Sequence, residues 1–296
     1  MEIEHQLSHL THARTAVNPD FESPSSTPSD DNDKAAMMRK IGFAVLAFFL
    51  WMASILLIVI VPAIFLFPYL SSQGVSINDA EQFAEFAKTD PTAVILQVVA
   101  IIPAHILTVL IAWLVITRMR TFSFRKTVGW ESGGIKWWHY AAMLLVFFGL
   151  AAVVGSYFPE QENDLIRMLK TSRYAVYIVA FVATVTAPLV EEVIYRGVLY
   201  SAFERALGVP AAFALVTFLF AVVHVPQYYP SYSTIFLLAL LSVMLTALRV
   251  RSKNLLPCII LHTLFNGAQS VFLVLGAMTD SLELPPAQDA FIHLLK

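Results

Sequence analysis

Charge is what this sequence has least of. Charged residues occupy 14% of its 296 positions, against about 25% in a soluble domain. The formal net charge is -2. No basic footprint exists for a nucleic acid, so no nucleic-acid partner is expected. Cysteine occurs once, at Cys258. That excludes an intramolecular disulfide and any CxxC metal site. Cys258 lies in an apolar run and reads as a small packing residue. Residues 1–36 contain no apolar signal core, so no cleavable signal peptide is expected. That tail is polar and rich in Ser, Pro, Asp and Thr. It cannot bury enough apolar surface to offset its ordering entropy and is expected to be disordered. Its His5, His9 and His12 have no geometry for a metal.

What the chain has instead is apolar length. Hydrophobic residues make up 58% of it, gathered in runs. A spanning helix needs about 20 apolar residues. Seven such segments can be read, at about Ile41–Phe67, Ala93–Thr117, Trp137–Tyr157, Tyr174–Tyr200, Leu207–His224, Ser233–Leu248 and Leu255–Leu275. The expected fold is therefore all-α, a polytopic membrane bundle of seven helices. It becomes eight if Leu282–Leu295 adds an interfacial helix. The domain order is a polar tail (1–36), a transmembrane domain (37–276) and a C-terminal tail (277–296). Lys and Arg cluster before the first segment and after the second, fourth and sixth. The positive-inside rule then puts the N-terminus in the cytoplasm and the C-terminus outside, in the plasma membrane if the source is bacterial. Membrane lipids are the implied surroundings.

Three polar clusters interrupt the later segments. Glu191 and Glu192 are adjacent in the fourth. A carboxylate costs several kcal/mol in hydrocarbon unless it is partnered or hydrated. Arg196 stands four residues after Glu192, on the same helix face, so the two are expected to pair. Glu191 lies about 100° round the helix, above Tyr195, and is left to face a cavity. A carboxylate with no fixed cation in a desolvated site holds a proton well, which suits a general base. Phe220 and His224 share a face in the fifth segment, as do His262 and Asn266 in the seventh. A base, two imidazoles and an amide are what peptide hydrolysis needs. Glu191, His224 and His262 are also the residue types of an open metal site. His105 reads as a packed polar contact near Pro103, and His139 as interfacial. Trp51 reads as core or lipid-facing. Arg196 and the basic loops are candidates for holding a substrate carboxylate or lipid headgroups.

The residues Glu191-Glu192-xxx-Arg196, Phe220-xxx-His224 and His262-xxx-Asn266 resemble the three ordered motifs of the CPBP family of intramembrane proteases. That family includes type II CAAX prenyl endopeptidases and bacterial proteins of bacteriocin processing or self-immunity. The resemblance spans roughly Tyr174–Ser270. It implies an intramembrane endopeptidase acting on a protein or peptide substrate, lipidated or not. By position, Glu191 would activate water. His224 would polarise that water or bind a metal. His262 and Asn266 would complete the site and its oxyanion hole, with Glu192, Arg196 and Phe220 in support. A zinc ion on His224, His262 and Glu191 is one reading of the mechanism, and a metal-free glutamate–water pair is the other. Two other classes stay open: a non-catalytic immunity or scaffold protein, and a transporter. The intact hydrolytic set weighs against the first. The want of an internal repeat weighs against the second.

Overall fold

The computed structural model describes residues 30–279 apart from Ile77. The expectations for His5, His9, His12 and Leu282–Leu295 therefore fall outside the described residues. By packing, the chain divides into residues 1–39 and residues 40–296. In the first unit, helix α1 is already formed from Asp30. Residues 30–36, assigned to the polar tail by composition, are thus helical.

In the second unit the described residues are helical, without strands. Among the described residues of the chain, seven helices are long and apolar enough to cross a membrane. Helix α1 (Asp30–Ser72) gives the first, α3 (Pro91–Ile116) the second and α5 (Trp137–Tyr157) the third. The fourth is one run, Arg173–Leu207, made of α7 (Arg173–Phe181), a π-helical stretch (Val182–Thr186), α8 (Ala187–Glu192), a second π stretch (Val193–Leu199) and α9 (Tyr200–Leu207). Helices α10 (Val209–Tyr228), α11 (Tyr232–Ser252) and α12 (Leu256–Met278) complete the set. Large side chains such as Phe49, Ile64, Leu145 and Phe218 stand exposed on these helices. Such surface suits acyl chains, and backbone polar groups are satisfied inside the helices.

The connections settle at two opposite ends of the bundle, because successive spans run antiparallel. At one end lie the amphipathic helices α2 (Ala80–Thr89) and α6 (Asp164–Thr171). Asp79 caps α2 by accepting from the Gln82 N–H, and Asn163 caps α6 by accepting from the Ile166 N–H. Lys88 and Asp164 join the two helices at 2.8 Å. At the other end, α4 (Phe124–Val128) and the segment after it dock on the α11–α12 turn. The Leu255 N–H donates to Gly129 O at 2.8 Å, and Arg249 donates to Val128 O at 2.9 Å. Gly129 has φ +77, and a Cβ there would stand 2.7 Å from Asn254 Oδ1. Only glycine fits both the backbone angle and the contact.

The fourth helix explains how the motifs reach one depth. Glu191 lies sixteen residues before Leu207, and His224 lies fifteen after Val209. The two arms fold back at Gly208, so the residues come level about 23 Å from the turn at 1.5 Å per residue. A fourth segment ending near Tyr200 would not have allowed this. Helix α9 adds the missing length beyond the apolar run. The first π stretch sits just before Pro188. Proline has no N–H for the carbonyl four residues back, and a wider turn accommodates the loss.

Candidate active site

The centre of the site is a buried carboxylate. Glu192 is fully buried, and its Oε1 accepts from Arg196 Nη1 at 2.8 Å. Arg196 is equally buried. Its Nη2 donates to Ser242 Oγ at 2.7 Å and to Ser242 O at 3.1 Å, and its guanidinium lies 4.9 Å from the Phe220 ring centroid. The intrahelical pair read from the spacing is present. Arg196 is not available to a substrate carboxylate or a lipid headgroup, because every nearby surface is occupied by protein.

Glu192 Oε1 also lies 2.9 Å from His262 Nδ1. A carboxylate accepts, so Nδ1 carries a ring proton, and in the neutral imidazole Nε2 is then the bare nitrogen. That Nε2 is 3.8 Å from Glu191 Oε2. Glu191 is the more open of the two acids, with 24% of its side chain exposed, and it lines a cavity of about 770 Å³. His224 Nδ1 donates to Phe220 O at 2.7 Å, which leaves its Nε2 bare as well. Asn266 Nδ2 donates to Ala183 O at 2.8 Å. One of its two N–H bonds is thereby used and one remains. Glu191, His224, His262 and Asn266 all line this cavity, together with Phe220. The structure thus brings the sequence-predicted residues together, on the fourth, fifth and seventh spans.

The first π stretch helps to place them. Its Ala183 carbonyl receives Asn266, and its Thr184 Oγ1 donates to Ser270 Oγ at 2.9 Å. Its last residue, Thr186, meets His105 Nδ1 at 2.9 Å. His105 is buried and lines the same cavity. Sequence reasoning treated His105 as packing and did not place it here. Nothing local separates it from any other apolar-span histidine, since its partner is 81 residues away. Trp51 proves to be core: its Nε1 donates to Tyr195 OH at 3.0 Å. His139 accepts from the Lys136 N–H and stacks on Trp138 at the start of α5, as an interfacial residue would. Cys258 is buried as a packing residue.

Glu160 was also missed. It lies in the segment between α5 and α6, outside the spanning helices, and it lines the cavity. Its Oε1 accepts from Thr234 Oγ1 at 3.1 Å. Burial raises its carboxyl above the usual value, against smaller opposing effects of hydrogen bonds from Thr234 and Asn163. Among the described residues, no three His, Cys, Asp or Glu side chains form a group that could hold a metal ion. Glu191, His224 and His262 in this arrangement do not fit the three-ligand zinc set, so no step below runs through a metal.

Residues 173–268 match the family Type II CAAX prenyl endopeptidase Rce1-like. The match runs from the start of the fourth span into the seventh and contains all three motifs. The match agrees with the resemblance read from the motifs. A CAAX-type intramembrane endopeptidase, a hydrolase, is the general activity that this family supports. No curated protein and no solved structure matches the chain.

Proposed function

We propose that this protein hydrolyses a peptide bond inside the membrane with a water activated by Glu191. The observation that carries the reading is the meeting of Glu191, His224, His262 and Asn266 on one cavity. Glu191 takes a proton from the water as its oxygen attacks the scissile carbonyl carbon. The bare Nε2 atoms of His224 and His262 accept hydrogen bonds and hold the water and the Glu191 acid in line. The free N–H of Asn266 donates to the oxyanion of the tetrahedral intermediate. Glu191 then returns the proton to the leaving nitrogen, the C–N bond breaks, and a carboxylic acid and an amine leave. Glu192 and Arg196 support this by fixing the His262 ring. Proton transfer by a placed side chain contributes roughly 10²–10⁴-fold in rate.

The substrate is a protein or peptide whose cut region enters an apolar-walled space, which suits a lipidated or membrane-adjacent segment. Basic residues crowd the α4 end of the bundle, so that end faces the cytoplasm. A detergent-purified sample incubated with lipidated and unlipidated C-terminal peptides tests the reading. Cleavage by the wild type and none by Glu191→Ala is the expected result. Equal cleavage by both would remove Glu191 from the reaction.

A further inference from the structure

The cavity has an entrance on one side of the bundle. Its lining reaches Glu160, Glu162 and Lys170, which stand at the α2–α6 end. Glu162 and Lys170 pair at 3.1 Å, each about half exposed, so the space meets water there. Among the described residues, the lining takes nothing from the α4 segment, the Gly208 turn or the α11–α12 turn. That half of the bundle is filled by the Glu192–Arg196 pair and by buried Leu199, Tyr200, Leu245 and Leu248. The entrance therefore lies at the end opposite the basic loops.

Glu160 is placed to read what enters. Among the described residues no lysine or arginine pairs with it, and its hydrogen-bond donors are the neutral side chains of Thr234 and Asn163. A half-buried carboxylate facing a cavity without its own cation is suited to a cation from outside. Tyr228 links it to the reaction centre. The Tyr228 side chain lines the same cavity as Glu160 and Glu191, and its ring is 6.4 Å from that of His224.

Resting on the proposed protease activity, we propose that the substrate is a peptide presented on the exoplasmic face, with a lysine, arginine or amine that Glu160 receives at the cavity entrance. Electrostatics would select the substrate there, before the bond to be cut reaches Glu191. A prenylated tail offered from the cytoplasm would meet the closed half of the bundle.

Two measurements test this. The first reads the side. Cysteine is introduced as Glu162→Cys or Glu131→Cys, the only other thiol being the buried Cys258. A membrane-impermeant maleimide on intact cells is expected to label Glu162→Cys, and to label Glu131→Cys only after permeabilisation. The reverse pattern overturns the exoplasmic entrance. The second reads the charge, as binding of fluorescent peptides to detergent-solubilised Glu191→Gln protein, so that turnover is not needed. A lysine-containing peptide is expected to bind about tenfold tighter than its glutamine analogue. Adding Glu160→Gln should bring that ratio near one, and Glu160→Lys should favour a glutamate analogue. An unchanged ratio in Glu160→Gln overturns the cation site. Charge-selective binding by a wild type that cleaves none of these peptides would sink the protease reading while leaving the cation site at Glu160 standing.

Discussion

His262 Nδ1 sits 2.9 Å from Glu192 Oε1, which turns its Nε2 to within 3.8 Å of Glu191 Oε2. One imidazole thus joins the two glutamates, and the joint divides their labour. Glu192 has its charge matched by Arg196 and serves as an anchor. Glu191 keeps an open side toward the cavity.

Removing the anchor should unsettle both neighbours. Glu192→Ala leaves Arg196 as an unpaired buried cation, which costs about 3–5 kcal/mol, and frees the His262 ring to rotate. A large drop in the unfolding temperature in detergent is expected, with loss of activity in whatever protein stays folded. A variant with wild-type stability would show that Arg196 does not depend on Glu192.

The second π stretch and the α11 helix meet through the same arginine. Arg196→Lys keeps the charge but cannot reach Glu192 and Ser242 with a planar fork. A stability loss of about 1–3 kcal/mol is expected in chemical denaturation. Wild-type stability would mean that charge alone holds this layer.

Glu160 should make stability depend on pH. Burial raises its folded carboxyl above the unfolded value, so the folded state prefers the protonated acid. The contribution is fully present below the unfolded carboxyl value and is lost as pH rises through the raised folded value. Glu160→Gln stays neutral throughout. Its unfolding temperature should therefore gain on the wild type as pH rises across that window, and level off above it. A difference that is flat with pH would contradict the burial effect.

At the opposite end of the bundle, Gly129→Ala forces a side chain onto a positive φ and against Asn254. A cost of about 1–3 kcal/mol is expected from the backbone strain. A neutral result would show that the α4 segment is not held on the α11–α12 turn.

Much of this was legible from the chain. The seven spans follow from apolar length, and Glu192–Arg196 follows from helical spacing. The three motifs marked the cavity because polar groups in apolar runs need a reason. What stayed hidden depends on contacts remote in sequence. His262 meets Glu192 across 70 positions and His105 meets Thr186 across 81, and no local pattern encodes either. The full length of the fourth span was hidden for another reason. Helix α9 carries Glu204 and Arg205, so its polarity masks its continuity with the apolar run. The π stretch before Pro188 was hidden as well, because its register depends on packing along the whole fourth span. Glu160 lies in a connection, where a lone acid attracts no notice until the cavity wall is seen.

The most direct test of the central claim is the cleavage rate of purified wild-type protein beside Glu191→Ala, on the same peptides, with folding checked by thermal unfolding. The account predicts cleavage by the wild type and at least a hundredfold loss in a folded Glu191→Ala protein, the low end for a missing proton-transfer group. A folded Glu191→Ala protein that cleaves at the wild-type rate would contradict it.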